Sequence, residues 1–356
     1  MALKICQTII YILGYFIIAV SVIPLIRNDN WMFRIFEYPR AQKLMISIVL
    51  LVLFLVVADW QDVHSIIFTA LLSANILYLF YQIYPYTILA KPQMKGKKNP
   101  EKDKHFKLMV CNVFQDNRDV GQCLGCIRKH EPDIIILVET DPWWKSQLAS
   151  LEADYSYRVA KPLDNTYGIL LYSKFELVDP KVKFLIEEGI PSIHTRVKLP
   201  SGDFFYLYCL HPQPPVPQEN PRSTERDAEI LMIAKEAKVC KLPVVVAGDL
   251  NDVAWSYTTE LFMKISGLLD PRRGRGFFNT FHAKHWFLRW PLDHIFCSKH
   301  FQLTNLQRLP FMGSDHFPIL VELGLDKSDT QENKEEQLQA DSEEVAEAEE
   351  KIQKAK

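Results

Sequence analysis

The segment VVVAGDLND, residues 244–252, leads from a short apolar stretch directly into a group of polar side chains. Its apolar residues are mostly β-branched and are followed by a glycine, which predicts a buried strand rather than a helix. Along an extended chain, side chains two residues apart point to the same side. We therefore expect Asp249 and Asn251 to face one place beyond the end of the strand, while Leu250 points into the core.

Short apolar runs of the same kind recur between residues 105 and 324. They are rich in β-branched and aromatic residues, which favours strands over helices. The runs are residues 108–111, 134–138, 169–172, 204–210, 244–247, 294–297 and 319–321. Helices are predicted between them at residues 119–130, 222–240 and 255–266. Strands outnumber helices, which predicts an α/β sandwich with mixed sheets.

Polar and ionisable residues stand at the boundaries of most of these strands. They are Asn112, Glu139, His211, Asp249, Asn251, Asp293, Asp315 and His316. Sites in α/β sheets form preferentially where strand ends meet. Carboxylate and amide oxygens are ligands for Mg²⁺, and an imidazole oriented by a carboxylate is a general base near neutral pH. Each residue alone could be a cap or a turn residue, but together they predict metal-assisted phosphoryl chemistry.

The first 90 residues contain three uncharged apolar runs, residues 6–26, 44–58 and 66–86. A bilayer core about 30 Å thick needs roughly 17–25 apolar residues per helix. The runs therefore predict a membrane anchor with three transmembrane helices over residues 1–90. Buried helices of a soluble domain, or a signal peptide for the first run, are the alternatives, although no small-residue cleavage site follows that run.

Basic residues in the connections predict the orientation in the membrane. Four basic residues, from Arg27 to Lys43, lie between the first two runs, whereas residues 59–64 include no lysine or arginine. A basic linker, residues 91–104, follows the third run and includes Lys98. By the positive-inside rule, the first connection and the domain at residues 105–324 face the cytoplasm.

Three further features of the composition affect the prediction. The formal net charge is −2, and the one dense basic patch of the domain, Arg272, Arg273 and Arg275, would either contact substrate phosphates or form a solvated loop. Seven scattered cysteines indicate reduced thiols rather than a disulfide framework. The last segment, residues 325–356, is highly charged and has no aromatic residue, which predicts a disordered or marginally helical tail.

The motifs CNV, LVET, HPQ, GDLND, PLDHIF and GSDHFPI follow one another in that order across residues 106–323. They resemble the ordered signature motifs of the endonuclease/exonuclease/phosphatase superfamily, of which GDLN and GSDHFPI are the most specific. The resemblance implies a DNase I-like fold, which is a four-layer α/β sandwich with two mixed β-sheets. Because three transmembrane helices precede it, the chain looks like the bacterial membrane-anchored members of that superfamily, located in the inner membrane.

The resemblance also implies a metal site. Glu139 would be the principal ligand of Mg²⁺, or of Mn²⁺ in its place, with Asn112 beside it. Asp315 would complete the metal or phosphate environment.

The same resemblance implies roles for the remaining motif residues. His316 would be the base that activates water, and Asp293 would orient its imidazole. Asp249 and Asn251 would position the nucleophile and the phosphate. His211 would donate a hydrogen bond to a phosphoryl oxygen in the transition state.

Taken together, these implications predict a metal-dependent phosphoesterase that hydrolyses phosphodiester bonds, with a nuclease as the first expectation. A phospholipid, sphingolipid or inositol-phosphate head group is the alternative substrate, and a non-enzymatic membrane scaffold is the second alternative. The nucleases related to exonuclease III have an acid two residues after the first-strand Asn, where this chain has Phe114; this departure weakens an abasic-site endonuclease interpretation. The expected partners are a nucleic-acid or lipid phosphodiester and the bilayer, and no protein partner can be inferred.

Overall fold

Three long apolar helices form the N-terminal part of the chain in a computed structural model that describes residues 1–97, 101–328 and 330–356. The helices of this part are α1 (Ala2–Val22), α2 (Trp31–Arg34), α3 (Arg40–Val57) and α4 (Val63–Ile83). The segments Leu3–Leu25, Arg40–Val57 and Val63–Tyr86 are long and apolar enough to cross a membrane, as the sequence predicts. Lys98, which belongs to the predicted basic linker, lies outside the described residues.

Eleven strands and four helices build the domain that follows. The strands are β1 (His105–Asn112), β2 (Ile134–Val138), β3 (Tyr157–Lys161), β4 (Ile169–Ser173), β5 (Glu176–Phe184), β6 (Pro191–Lys198), β7 (Phe204–Leu210), β8 (Val244–Asp249), β9 (Asp293–Cys297), β10 (Phe301–Arg308) and β11 (Ile319–Leu325). The helices are α5 (Val120–His130), α6 (Pro142–Gln147), α7 (Thr224–Val239) and α8 (Tyr257–Ser266).

The strands form two mixed sheets that pack face to face. The first has the order β10-β11-β1-β2-β4-β3 and the second the order β5-β6-β7-β8-β9. In each sheet one neighbouring pair is parallel, β1 with β2 and β7 with β8, and the other pairs are antiparallel. The buried faces meet in a core where the rings of Phe106 and Phe205 stack with centroids 4.8 Å apart.

Helices cover the outer face of each sheet. Helices α5 and α6 pack on the first sheet through Ile127 and Trp144, and α7 and α8 pack on the second through Ile230 and Phe262. Two helical layers and two sheet layers make four, which confirms the predicted four-layer α/β sandwich.

Every apolar run that predicted a strand lies in one, but four strands were not predicted. Three of these, β3, β5 and β10, are edge strands, and β3 and β5 are largely exposed. Their apolar residues, such as Val159 of β3 and Val182 of β5, pack against the core from one face only, so these edge strands need no continuous apolar run. The fourth, β6, is internal but has polar buried residues such as Ser192, His194 and Thr195.

The two parallel pairs bring the functional side chains together. Strands β1 and β2 end at Asn112 and Val138, so Glu139 follows directly, and β7 and β8 end before His211 and at Asp249. Asp293 opens β9 opposite Asp249 in the antiparallel register. The carboxyl ends of both parallel pairs therefore lie at one end of the sandwich.

The linker and the tail both pack against the domain. In the linker, Met94 is fully buried in the core between the sheets, and the amide of Lys97 donates to the carbonyl of Leu303 at 2.9 Å. The tail contains α9 (Gln331–Glu335) and α10 (Ser342–Lys354). The tail differs from the solvated segment that its composition suggests, because α10 presents Ala348 and Ile352, four residues apart, to the apolar face of α7.

Candidate active site

The GDLND segment turns sharply at the end of β8. A side-chain carbon on Gly248 would lie 1.9 Å from the carbonyl oxygen of Leu210, so only glycine lets β8 approach β7 this closely. Asn251 has a left-handed backbone with φ of 52°, which asparagine tolerates better than most residues. The extended geometry expected through Asn251 is therefore wrong, although Asn251 still lines the site. Leu250 is buried in the core, as expected.

His316 and Asp293 form a buried pair. Nδ1 of His316 lies 2.8 Å from Oδ2 of Asp293, and Nε2 lies 3.5 Å from Oδ2 of Asp249. A proton on Nδ1 that is donated to Asp293 leaves the lone pair of a neutral ring at Nε2. The structure thus brings together three of the predicted catalytic residues, and their ligand atoms lie within 4.8 Å of one another.

Asn112 connects the two predicted metal and phosphate segments. Its Nδ2 donates to Oε1 of Glu139 at 2.7 Å and to Oδ2 of Asp249 at 3.0 Å. The second oxygen of Glu139 accepts from the backbone amide of Gln115 at 3.1 Å. Glu139 has a left-handed backbone with φ of 60°, a strained conformation of the kind found at functional sites.

Burial and the charges of neighbouring groups shift the pKa values of Glu139, Asp249 and His316. Burial raises the pKa of Glu139 to about 7, although the hydrogen bond from Asn112 opposes this. Burial also raises the pKa of Asp249, and the charge of Asp293 adds to it while His316 opposes it. Burial alone would lower the pKa of His316, but the carboxylates of Asp293 and Asp249 outweigh it and raise the pKa to about 10.

His211 and Asp315 complete the predicted set. His211 is buried, its Nδ1 has no hydrogen-bond partner in the described part of the chain, and burial lowers its pKa to about 4. The imidazole is therefore neutral at physiological pH. Asp315 lines the cleft beside His316, and Oγ of Ser314 donates to its carboxylate at 3.4 Å.

The donor set fits a hard divalent cation. The carboxylates of Glu139, Asp249, Asp293 and Asp315 all interact electrostatically with the one imidazole of His316. Among the described residues, none of the four forms an ion pair with a lysine or arginine, and Oδ1 of Asp293 is buried without a hydrogen-bond partner. Buried carboxylates in excess are costly unless a cation offsets their charge, and oxygen ligands suit Mg²⁺.

The basic patch Arg272, Arg273 and Arg275, for which phosphate contact and a solvated loop were both open, is not part of the cleft that contains Glu139 and His316. Arg272 is 1% exposed, and its guanidinium binds Asp270 at 2.7 Å, His294 at 2.6 Å and the carbonyl of Asp293 at 3.2 Å. Arg275 donates to the carbonyls of Pro271 and Met94. Arg273 lies over the ring of Tyr86. The charges of Arg272 and Arg275 therefore serve packing, because Asp270 and backbone carbonyls already bind them.

Several residues of the site were not predicted from the sequence. Tyr167 packs its ring against His211 and hydrogen-bonds Glu219. More unexpectedly, Trp31, Ile35 and Tyr38, from the connection between α1 and α3, line the same cleft. The signal available was the apolar and aromatic composition of the stretch WMFRIFEYP, which is unusual for a solvated connection.

Comparisons with known proteins identify the family and support the fold. The family model described as the endonuclease/exonuclease/phosphatase family matches residues 109–316. Among curated proteins, no sequence matches the chain.

Several solved structures have a similar fold. Zebrafish (D. rerio) TDP2 complexed with single strand DNA product is 17% identical, with a TM-score of 0.52, over 62% of this chain and 100% of that one. The human Nocturnin catalytic domain with bound sulfate is 17% identical, with a TM-score of 0.51, over 66% and 100%. The endonuclease/exonuclease/phosphatase from Beutenbergia cavernae is 15% identical, with a TM-score of 0.50, over 63% and 72%. Because the matched residues 109–316 make up more than half of the chain, the chain belongs to the endonuclease/exonuclease/phosphatase family.

Proposed function

We propose that the chain is a metal-dependent phosphoesterase that hydrolyses phosphodiester bonds with water activated by His316. The observation that supports this best is the buried His316–Asp293 pair at a cleft edged by carboxylates that no described lysine or arginine neutralises. Phosphoester hydrolysis needs a base that activates water and positive charge near the phosphoryl oxygens. In this arrangement His316 is the base, and the carboxylates would hold the cation that supplies the positive charge. A membrane scaffold would have no use for it.

Each catalytic side chain has a distinct task in this proposal. The carboxylates around His316 raise its pKa to about 10, and in this proposal the bound cation offsets their charge and lowers that pKa. The neutral ring then accepts a proton from water at Nε2, because Asp293 engages Nδ1. Asp249 holds the water near that nitrogen, and Asn251 positions the phosphate. The neutral imidazole of His211 donates a hydrogen bond to a phosphoryl oxygen as negative charge develops there.

Glu139, Asn112 and Asp315 are the residues that we propose to hold the metal, which is Mg²⁺ or Mn²⁺. When bound, a hard cation withdraws charge from the phosphoryl group and orients it. Asn112 keeps Glu139 and Asp249 in a fixed relation through its two hydrogen bonds. The Asp249–Asp293–His316 group is close enough to bind a cation, but in this proposal it transfers the proton.

Nucleic acid and lipid remain the two candidate classes of substrate. The zebrafish TDP2 structure, which holds a single-stranded DNA product, supports nucleic acid, although at this identity the likeness extends to the fold alone. The apolar walls of the cleft favour a lipid phosphodiester instead.

We further propose that the chain is a multi-pass membrane protein of the bacterial inner membrane whose catalytic domain faces the cytoplasm. The proposed division is a membrane anchor at residues 1–90, a linker at 91–104, the catalytic domain at 105–324 and a charged tail at 325–356. Basic residues on the domain side of α1 and α3 support this orientation.

The proposed activity is tested with the full-length chain in detergent and bis(para-nitrophenyl) phosphate as substrate. We expect hydrolysis with Mg²⁺ or Mn²⁺, loss of the rate with a chelator, and a fall of at least about 10- to 100-fold in Glu139→Gln. Glu152→Gln, which alters an exposed ion pair with Arg158, is the matched control and keeps the wild-type rate. A rate that is insensitive to the chelator would contradict the metal site.

A further inference from the structure

His316 and Asn251 of the proposed catalytic set line a cleft of about 570 Å³ whose walls are mainly apolar, together with Glu139 and Asp315 of the proposed metal site. One wall comes from the catalytic domain and includes Val216, Leu288 and Trp290. The other part of the lining comes from the connection between α1 and α3 and includes Trp31, Ile35 and Tyr38. The cleft therefore exists only where the membrane anchor meets the domain.

Hydrogen bonds fix the anchor's wall beside the catalytic residues. The amide of Trp31 donates to the carbonyl of Pro221 at 2.8 Å. The hydroxyl of Tyr38 donates to the carbonyl of Asn251 at 3.0 Å, and Nε1 of Trp255 donates to the carbonyl of Glu37 at 2.9 Å. Asn251 belongs to the GDLND segment, so this wall is joined directly to the phosphate-handling part of the site.

The anchor's wall of the cleft leads directly into helix α3, which is long and apolar enough to span a membrane. Helix α3 begins at Arg40, directly after Pro39 of the cleft wall. Nε2 of Gln42, in the first turn of α3, donates to the carbonyl of Phe287 at 2.7 Å. The loop that contains Leu288 therefore lies against the end of a membrane-spanning helix.

Two residues of the cleft wall, Ile35 and Leu288, are exposed apolar side chains, and Trp286 lies two residues from Leu288 in the same loop. Trp286 is 80% exposed, Ile35 is 50% exposed and Leu288 is 46% exposed. Tryptophan and aliphatic side chains at the level where a helix enters the bilayer are typical of contact with the membrane interface. In a bilayer-spanning arrangement of α3, these side chains bring the mouth of the cleft to the level of the lipid head groups.

The charges of the cleft do not suit a nucleic-acid backbone. Binding to nucleic acid relies on several lysine or arginine contacts to phosphates. Apart from His316, Arg34 is the one basic side chain among the described residues lining the cleft, and it is buried against Asp227 at 2.7 Å and Glu37 at 3.1 Å. Trp290, which could have stacked on a base, already packs against Tyr38 and Phe281.

We propose, on the basis of the hydrolase function above, that the substrate is a phosphodiester of a membrane lipid, which enters the cleft sideways from the bilayer. Its hydrocarbon chain lies against Ile35, Tyr38 and Leu288 while the phosphate reaches His316. The anchor is then part of the substrate site rather than a tether alone. Hydrolysis forms a bond from the water oxygen to phosphorus and breaks the bond to the leaving oxygen; His316 accepts the water's proton, and the leaving oxygen takes up a proton.

A series of para-nitrophenyl alkyl phosphodiesters with ethyl, hexyl and decyl chains tests this proposal. The full-length chain is assayed in one detergent with Mg²⁺, so that partition of each ester into the micelles is the same for every variant. We expect kcat/KM of the wild type to rise with chain length, by up to about fourfold for each methylene that the cleft buries. In Ile35→Asp, and independently in Leu288→Asp, the decyl-to-ethyl ratio of kcat/KM falls at least about tenfold.

Val239→Asp is the matched control, because Val239 is an exposed apolar residue at the far end of α7; it keeps the wild-type ratio. A ratio that Ile35→Asp and Leu288→Asp leave unchanged would overturn the proposal, as would faster turnover of a single-stranded oligonucleotide than of the decyl ester. Both results leave the phosphoesterase function intact. Failure to hydrolyse even the ethyl ester would instead contradict the proposed function itself.

Discussion

Asn112 links the two sheets at the level of a single side chain. Its amide nitrogen donates to Glu139, which follows β2 in the first sheet, and to Asp249, which ends β8 in the second. Two carboxylates that would repel each other are held by one donor group, and the carboxamide oxygen accepts the amide of Phe114 at 2.9 Å. A buried network in which each member is satisfied fixes one geometry.

We expect Arg272 to stabilise the fold next to the site, because it binds the carboxylate of Asp270 and the carbonyl of Asp293 rather than a substrate. Replacing it in Arg272→Met leaves the carboxylate of Asp270, which is fully buried, without its partner. We expect a loss of about 3–5 kcal/mol in the free energy of unfolding, because an uncompensated buried charge remains. The measurement is unfolding of the full-length chain in detergent, followed by tryptophan fluorescence.

Arg273→Met is the control for this prediction, because Arg273 is the neighbouring arginine and only lies over the ring of Tyr86. Its loss is expected to stay below about 1 kcal/mol. If the two variants were equally stable, or if Arg272→Met weakened substrate binding without a change in stability, the buried role would be refuted.

The sequence predicted which residue types meet at the site but not what each one contacts. Strand ends that meet at one edge made Asn112, Glu139, Asp249 and His316 candidates without further information. The partner of Arg272 was not predictable, because an arginine in a loop has the same sequence signature whether Asp270 or a phosphate binds it. The fold distinguishes the two alternatives, because it buries Arg272 beside Asp270.

At the level of elements, one carboxylate on α7 connects three parts of the chain. Asp227 is fully buried and binds Arg34 of the anchor connection at 2.7 Å, Arg226 at 2.8 Å and Lys351 of α10 at 3.1 Å. Burial alone would raise the pKa of Asp227, but these three cations outweigh it and hold the pKa well below its usual range. The tail and the anchor are thus both fastened to the same helix.

Asp227→Asn is expected to cost about 3–5 kcal/mol in the free energy of unfolding at neutral pH, because three buried cations each lose one carboxylate partner. The folded-state pKa of Asp227 is lowered, so its contribution is present above the unfolded pKa of about 3.9 and is lost as pH falls below that value. The difference between wild type and variant should therefore shrink only in acid. Unfolding measured across a pH series checks this dependence.

Asp203→Asn provides the comparison, since Asp203 pairs with Lys327 in a largely solvated ion pair. A surface pair of this kind contributes about 0–1 kcal/mol. Equal losses in Asp203→Asn and Asp227→Asn would show that the α7 carboxylate does not fasten the tail and the anchor.

Elements with an apolar face were predictable, and those defined by context were not. The tail has too little apolar surface to predict a docked helix, yet Ala348 and Ile352 suffice because α7 supplies the other half of the contact. The basic residues of the first connection, which were used to predict the membrane orientation, also have structural roles. Arg40 donates to the carbonyl of Trp255 at 2.6 Å, and Lys43 donates to the carbonyl of Phe36 at 2.8 Å.

In the whole molecule, the anchor and the catalytic domain share an apolar contact next to the site. Ile83 and Tyr86 at the end of α4 pack with Val253 and Trp255, which follow the GDLND motif. The ends of α1 and α4 and the start of α3 all lie on the domain side, so the connection at residues 59–62 lies on the other side. In a membrane, the chain therefore has two possible orientations, with the domain side either in the cytoplasm or outside it.

We predict that the domain side is cytoplasmic, because the basic connections lie there. A green fluorescent protein fused after Lys356 should fluoresce in a bacterial host, and alkaline phosphatase fused at the same place should be inactive. Alkaline phosphatase inserted in the connection between α3 and α4 is the control and should be active. The reverse result at both positions would place the catalytic domain outside.

The most direct test of the proposed hydrolase is the rate at which His316→Ala hydrolyses bis(para-nitrophenyl) phosphate with saturating Mg²⁺. The imidazole is the only proposed base, and it is paired with Asp293 at 2.8 Å. We expect kcat to fall by about 10²- to 10⁴-fold, while His130→Ala, at the far end of α5, keeps the wild-type rate. A His316→Ala variant that hydrolyses the ester as fast as the wild type would contradict the assignment of this site.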